Sequence, residues 1–453
     1  MERGRCPHPA SPDVVGRGDR NGAAQHVRRL RATGVTPDAE TRLIFTHSQR
    51  AAHASTKSAP AAATIPPMRH PDQHIFQHTP ESLRAWCAEA GISGGNYRAG
   101  QILDWVYRKG VVDPDAMTNL SARDRATLRE GMTFLSGDEL AHQSASDGTQ
   151  KLLIEWSEEG RATGAGGSGG ATGVAGVALP LLGAGGDPTR QTETVMIPTD
   201  DRRTACVSSQ VGCPVGCRFC ASGMGGLDGN LSAGRIVEQV WRLARLPEVG
   251  RITNVVFMGM GEPLANFNAV AHALHTLAAD WGMGISARKL TVSTVGLPQA
   301  IERLAREVDL PVTLALSLHA PNDDLRRELI PWAEFTTVET LLDACSVWFK
   351  KTGREVTLEY ILLGGVNDRA EHAEQLAEVV QAMRRRAGGR ANVNLIRYNE
   401  VAGIPYARPG TEDVRAFQEI LRRRGVNTHI RASRGRDIAA ACGQLRHEKA
   451  GTA

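Results

Sequence analysis

Cys213-Pro214-Val215-Gly216-Cys217-Arg218-Phe219-Cys220 is the stretch on which the reading of this chain turns. Three thiols spaced C-x3-C-x2-C on one tight loop suit three irons of a cubane cluster, with the fourth iron left open to a small molecule. Zinc is the alternative. A structural zinc site takes four protein ligands, usually as pairs of cysteines, and no second pair accompanies this loop.

Working outward, the loop follows a strand-like run, Thr204–Ser208, and opens a regular alternation of strands and helices. Further strands are predicted around Thr253–Met258, Lys289–Ser293, Pro311–Leu316, Val356–Leu362 and Asn392–Ile396. The helix Val338–Lys351 carries Val338, Leu341, Leu342, Cys345, Trp348 and Phe349 on one face, behind a capping-box pattern at Thr336 and Glu339. Repeated β-α units imply an α/β fold with a parallel sheet, open or closed into a full or partial barrel. Ligands in such folds gather at the carboxyl ends of the strands. The polar and Gly-rich motifs fall there one after another: the three cysteines, then Gly259-Met260-Gly261-Glu262-Pro263, Ser293-Thr294-Val295-Gly296, Ser317-Leu318-His319-Ala320-Pro321-Asn322 and Arg397-Tyr398-Asn399. Their common position argues for one shared pocket.

The other segments carry less chemistry. Residues 1–67 are rich in Arg, Ala, Pro and Gly, with Phe45 as their one aromatic residue. They read as a disordered tail or as a start placed too early, with Met68 the true start; an Arg-rich transit peptide is the alternative. Residues 75–145 read as a small helical domain, with Thr79-Pro80 as a helix cap and Cys87 on an apolar face. Strands Gln150–Trp156 and Thr192–Pro198 read as a β-hairpin (150–198) with a Gly-rich insertion over 161–187. The catalytic domain is expected over 203–447. Eight cysteines in a chain of 453 residues without a secretory pattern point to metal or redox chemistry in a reducing cytoplasm. No apolar run is long enough to cross a bilayer. The net charge of +4 decides nothing about nucleic acid, since a local patch matters more than the total. The basic clusters are Arg384–Arg386, Arg422–Arg424 and Arg431–Arg436, the last leading directly to Cys442.

The cysteine spacing and Gly261-Glu262-Pro263 resemble the radical S-adenosylmethionine superfamily. Cys206-Val207-Ser208-Ser209-Gln210-Val211-Gly212-Cys213, Ser317–Asp323, Arg434–Leu445 and Met117–Ser121 narrow the resemblance to its RlmN/Cfr family of RNA adenine methyltransferases, over about residues 76–447. The resemblance implies a partial (β/α) barrel of the radical SAM type with a small N-terminal helical domain. It implies a [4Fe–4S] cluster on Cys213, Cys217 and Cys220. It implies S-adenosylmethionine held by Gly261, Glu262, Ser293, Ser317, Leu318, His319 and Asn399. Cys442 would carry a methyl group as S-methylcysteine, Glu193 would accept a proton, and Cys206 would resolve the adduct through a transient disulfide with Cys442. Each turnover would use two S-adenosylmethionine molecules. The substrate would be adenine C2 in 23S ribosomal RNA, and also tRNA, with an external electron donor and a monomeric enzyme. Alternatives are C8 methylation, a radical enzyme acting on a small molecule or peptide, and a non-catalytic metal-binding RNA protein. Val295 departs from the small polar residue of many relatives.

If the leader is dispensable, a chain beginning at Met68 should assemble its cluster as the full chain does. Iron and sulfide analysis checks this, and loss of cluster on truncation would show that the leader matters.

Overall fold

The computed structural model of the chain describes residues 68–157, 186–387 and 391–445. The expected leader over 1–67 lies outside the described residues, as does the Gly-rich insertion except for Gly186 and Asp187. Three helices come first: α1 (Pro80–Glu89), α2 (Gly95–Leu103) and α3 (Ala122–Gly131). Thr79 caps α1, its hydroxyl accepting from the Ser82 N–H while the Thr79 N–H donates to Ser82 Oγ. Leu83 and Cys87 of α1, Ile102 of α2 and Leu128 of α3 are buried in one core. Residues 137–144, inside the stretch predicted to be helical, form strand β1 (Gly137–Ser144). Its sequence is mostly polar and lacks alternation, so its strand state follows from pairing with β2 (Gln150–Trp156) rather than from propensity.

β2 and β3 (Gln191–Pro198) pair antiparallel, and β3 pairs the same way with β4 (Arg203–Cys206). β5 (Gln210–Gly212), the short helix α4 (Ala221–Met224) and β6 (Leu227–Asn230) frame the cysteine loop, with β5 and β6 forming a separate hairpin. The chain then alternates through α5 (Ala233–Leu243), β7 (Asn254–Phe257), α6 (Phe267–Ala278), β8 (Leu290–Thr294), α7 (Pro298–Glu307) and β9 (Thr313–Ser317). It continues through α8 (Asp323–Leu329), α9 (Val338–Thr352), β10 (Val356–Leu362), α10 (Ala370–Ala387), β11 (Ala391–Arg397), α11 (Thr411–Arg423) and β12 (Asn427–Arg431). Strands β4 and β7 to β12 lie side by side and parallel, in chain order, so every carboxyl end points the same way. β12 closes on no further strand among the described residues. This is an open, partial (β/α) barrel. β12 has no counterpart in the predicted strands, because Asn427-Thr428-His429-Ile430-Arg431 carries only one aliphatic residue.

The cap of α9 also differs from expectation. Thr337 and Thr340 form the capping box, one residue later than predicted. The Thr336 hydroxyl is taken instead by the Arg326 guanidinium.

A buried carboxylate joins the N-terminal helices to the barrel. Glu238 of α5 accepts from His74 Nε2 at 3.0 Å, from the Ser136 N–H and Oγ–H at 2.9 Å each, from the Gly137 N–H at 3.2 Å and from Arg242 Nε at 2.9 Å. Burial alone would push Glu238 upward, but Arg242, His74 and the Ser136 N–H pull it down to about 2. The folded value is thus below the usual one of 4.5. Its contribution to stability is complete above about 4.5 and is lost as the pH falls through about 2. Glu238→Ala should therefore lose about 3–5 kcal/mol at pH 7, because Arg242 and several donors are left buried without a partner. For Glu238→Gln, the deficit against the wild type should shrink as the pH is lowered below 4.5. Denaturant unfolding at several pH values checks both.

Candidate active site

The three cysteines stand on one cavity at the carboxyl ends of the parallel strands. Main-chain bonds fix their loop: Cys213 N–H to Gly226 O (2.7 Å), Cys220 N–H to Cys217 O (3.1 Å) and Arg218 N–H to Leu329 O (3.0 Å). Burial pushes the Cys213 thiol up to about 12 and raises Cys217 and Cys220 as well; the charge of Cys220 adds to the rise at Cys213 and Cys217, and that of Cys442 to the rise at Cys220. Three half-buried thiols that resist ionisation next to one another call for a cationic group among them. This donor set fits an iron–sulfur cluster, whose metal charge would hold all three as thiolates.

The neighbouring strand ends complete the cavity. After β7, Gly261 takes φ +104°, and a Cβ there would fall 2.7 Å from Gln210 Cβ. Gly259 packs as closely, its imagined Cβ lying 2.7 Å from Val207 O. Glu262 is buried and accepts from the Leu264 N–H at 3.0 Å and the Val295 N–H at 2.8 Å. Burial still lifts it to about 7. Val295 makes this contact through its backbone N–H, so its unusual side chain leaves the hydrogen bond intact. Ser293 and Ser317 face each other, Oγ to Oγ 3.2 Å. His319 adopts a left-handed backbone, φ 58°. Its Nδ1 accepts from the Ile361 N–H at 3.1 Å, and the ring lies edge-on to Phe219. Burial, then Arg326, lowers it to about 3, so it rests neutral. Leu318 is the exception among the predicted contacts. Its side chain is wholly buried in the core, its carbonyl accepts from Arg326 Nε at 3.2 Å, and it does not line the cavity.

Cys442 reaches this cavity from the far end of the chain. Ala221 N–H donates to Gly443 O at 2.8 Å, and Ser222 Oγ donates to Leu445 O at 2.7 Å. Asn399 Nδ2 donates to Cys442 O at 3.3 Å, while Asn399 Oδ1 accepts from Arg408. An adjoining recess holds Cys206, Cys220, Asn399, Arg431, Arg434 and Cys442 together. The two candidate redox partners, Cys206 and Cys442, thus share one recess, and both are free thiols. Burial, then the charge of Cys442, pushes Cys206 up to about 12. Glu193 lies on β3 on the same face as Val195, which packs against Cys206. It is buried and paired with Lys151 Nζ at 2.6 Å, and Lys151 also donates to Ala439 O at 3.3 Å. Glu193 does not line either recess. Cys87 and Cys345 sit in the core, as their apolar helix faces predict.

Several participants have no role that the motifs assign. Arg431 ends β12 and lies 3.5 Å from Glu359 Oε2, with Cys442 the first of the charges that hold it protonated. Glu359 interrupts the apolar strand Val356–Leu362, a signal available in the sequence; Lys151 in β2 is another. Gln210 accepts from the Glu262 N–H at 2.7 Å. Arg326, in a helix of charged residues, reads as surface and proves fully buried.

Two families match the chain. Residues 207–380 match the Radical SAM superfamily, and residues 74–133 match the ribosomal RNA large subunit methyltransferase N-terminal domain. A probable dual-specificity RNA methyltransferase RlmN of Rhodopirellula baltica is 40% identical over 377 residues, 83% of this chain and 91% of the relative. A dual-specificity RNA methyltransferase RlmN of Dichelobacter nodosus is 38% identical over 380 residues, 82% of this chain and 93% of the relative. The crystal structure of a radical SAM methyltransferase from Sphaerobacter thermophilus superposes with a TM-score of 0.72 at 41% identity, covering 83% of this chain and 100% of that one.

Gly259→Ala should force the end of β7 away from Val207 and Ser208, main-chain atoms that cannot swing aside. A loss of about 1–3 kcal/mol is expected, read as a lower thermal midpoint. An unchanged midpoint would show that the two strand ends are not locked together.

Proposed function

Because the chain belongs to the RlmN family of radical SAM RNA methyltransferases, we propose that it methylates adenine C2 in 23S ribosomal RNA and in tRNA, through S-methylated Cys442. The observation that carries this reading is the meeting of Cys442 with Cys220 and Cys206 in one recess, more than two hundred residues apart in the chain. A radical enzyme acting on a small molecule has no need of that third, C-terminal thiol.

Adenine C2 lies between two ring nitrogens and is too electron-poor to attack a sulfonium methyl. A carbon radical can add to it. Cys213, Cys217 and Cys220 would hold the [4Fe–4S] cluster. When bound, that cluster supplies the electron that splits S-adenosylmethionine to a 5′-deoxyadenosyl radical. Gly261 and Glu262 would hold the methionine moiety, and Ser293, Ser317 and His319 would border the remainder of the ligand, with Leu318 packed behind them. Asn399 fixes the backbone of Cys442.

Cys442 acts twice. As a thiolate it first takes a methyl group from one S-adenosylmethionine, releasing S-adenosylhomocysteine. Its S-methyl group then gives up a hydrogen atom to the radical from a second, and the methylene carbon bonds to C2. Glu193 would receive the C2 proton, and the adduct radical's extra electron would return to the group held by Cys213, Cys217 and Cys220. Cys206 attacks the Cys442 sulfur, the product carbon leaves and is protonated, and a Cys206–Cys442 disulfide remains for an external dithiol to reduce. Arg431 and Arg434 lie where an unstacked nucleotide would enter, placing positive charge near its phosphates.

Cys442→Ala should keep S-adenosylmethionine cleavage and form no methylated RNA. Cys206→Ala should accumulate a covalent protein–RNA adduct, seen as a shifted band that ribonuclease collapses. Normal turnover by Cys206→Ala would remove it from the resolving role, and methylation by Cys442→Ala would overturn the reading as a whole.

A further inference from the structure

Arg326 of α8 is buried with no exposed surface. Its hydrogen bonds all end on neutral oxygens: Nε on Leu318 O at 3.2 Å, Nη1 on Thr336 Oγ1 at 3.3 Å, and Nη2 on Val295 O. Asp323, the carboxylate that acts on it, is turned to the Val338 N–H at 2.6 Å. A guanidinium taken out of water without a paired anion is costly, and proteins keep such a charge where something compensates it. The neighbour with the strongest charge effect on Arg326 is Cys217. The packing agrees, since Cys217 lies against the cluster of Leu329 and Ile330 at the end of α8. The loop of Cys217 is also bonded to that end through Arg218 N–H and Leu329 O.

We infer that Arg326 is a built-in counter-charge for the iron–sulfur cluster, placed behind Cys217 to ease the cluster's acceptance of an electron. The inference rests on the reading that the three cysteines hold a [4Fe–4S] cluster. Such a cluster with three thiolates is already anionic and gains one more negative charge on reduction. A fixed cation in a low-dielectric surrounding stabilises the reduced form more than the oxidised one. The same guanidinium spans the loops after β8 and β9, so its charge and the walls of the cavity are set by one side chain.

A purely structural clamp and a counter-charge make opposite predictions. If Arg326 only held the loops, replacing it would loosen them and admit water, which stabilises the more charged, reduced cluster and moves the midpoint potential upward. If its charge matters, Arg326→Gln should move the midpoint to a more negative value, and Arg326→Lys should restore most of the shift. Thr336→Asp supplies a second route should Arg326→Gln fold poorly. It leaves the bonds to Leu318 O and Val295 O in place and sets a carboxylate on the guanidinium, so it too should shift the midpoint negatively. The experiment is an anaerobic redox titration of the reconstituted full chain, followed by electron paramagnetic resonance, with iron and sulfide counted in each sample. A negative shift in Thr336→Asp, and in Arg326→Gln where it loads, supports the inference. An unchanged or more positive midpoint in a fully loaded Thr336→Asp overturns it. A wild type that holds no cluster would overturn the functional reading and this inference with it.

Discussion

Two hydrogen bonds hold the site together: Ala221 N–H to Gly443 O, and Ser222 Oγ–H to Leu445 O. They tie the last turn of the described chain to the residues just after Cys220. Everything distinctive about the site depends on that closure. The parallel strands can assemble a cavity for a cluster and a nucleoside without it, but they cannot supply Cys442. The closure is supported from two further sides. Asn399, just beyond β11, holds the Cys442 carbonyl, and Lys151 holds Ala439 O while pairing with Glu193. One buried lysine therefore ties the proposed proton acceptor to Ala439, three residues before the proposed methyl carrier.

The two recesses divide the chemistry. The inner one, bordered by the three cysteines and the ends of β7, β8 and β9, is lined by groups that suit a zwitterionic ligand. The outer one carries Cys206 and Arg434, while Arg431 lines both. Cys442 and Cys220 belong to both. A sulfur at that boundary can face a methyl donor on one side and a base on the other without the protein having to move its backbone. The buried ionisable groups that line the inner recess, Glu262, Glu359 and His319, are each held by main-chain or side-chain bonds, so the polar lining is preorganised.

Much of this was legible in the sequence. The cysteine spacing, the alternation of strands and helices, and the motifs at successive strand ends point to one pocket on a parallel sheet; the first four motifs share a cavity, and the motif after β11 reaches the adjoining recess through Asn399. What was hidden has physical reasons. β1 and β12 lack the apolar alternation that marks a strand and owe their state to pairing with a neighbour. Leu318 lies between Ser317 and His319, which line the cavity, but its own side chain turns into the apolar core. Thr336 has the composition of a helix cap and serves Arg326 instead. Arg326 sits among charged residues in Asp323-Asp324-Leu325-Arg326-Arg327-Glu328-Leu329, a pattern that reads as solvated surface. Its burial becomes visible only when the loops after β8 and β9 are placed around it.

The most direct test of the account is product analysis. The reconstituted full chain would be incubated anaerobically with reductant, methyl-labelled S-adenosylmethionine and ribosomal RNA or tRNA, and the RNA digested for mass spectrometry. The account predicts labelled 2-methyladenosine. Labelled 8-methyladenosine would contradict the assignment of the carbon, and the absence of any methylated adenosine from either RNA, with a full cluster and S-methylated Cys442 in the enzyme, would contradict the proposed function.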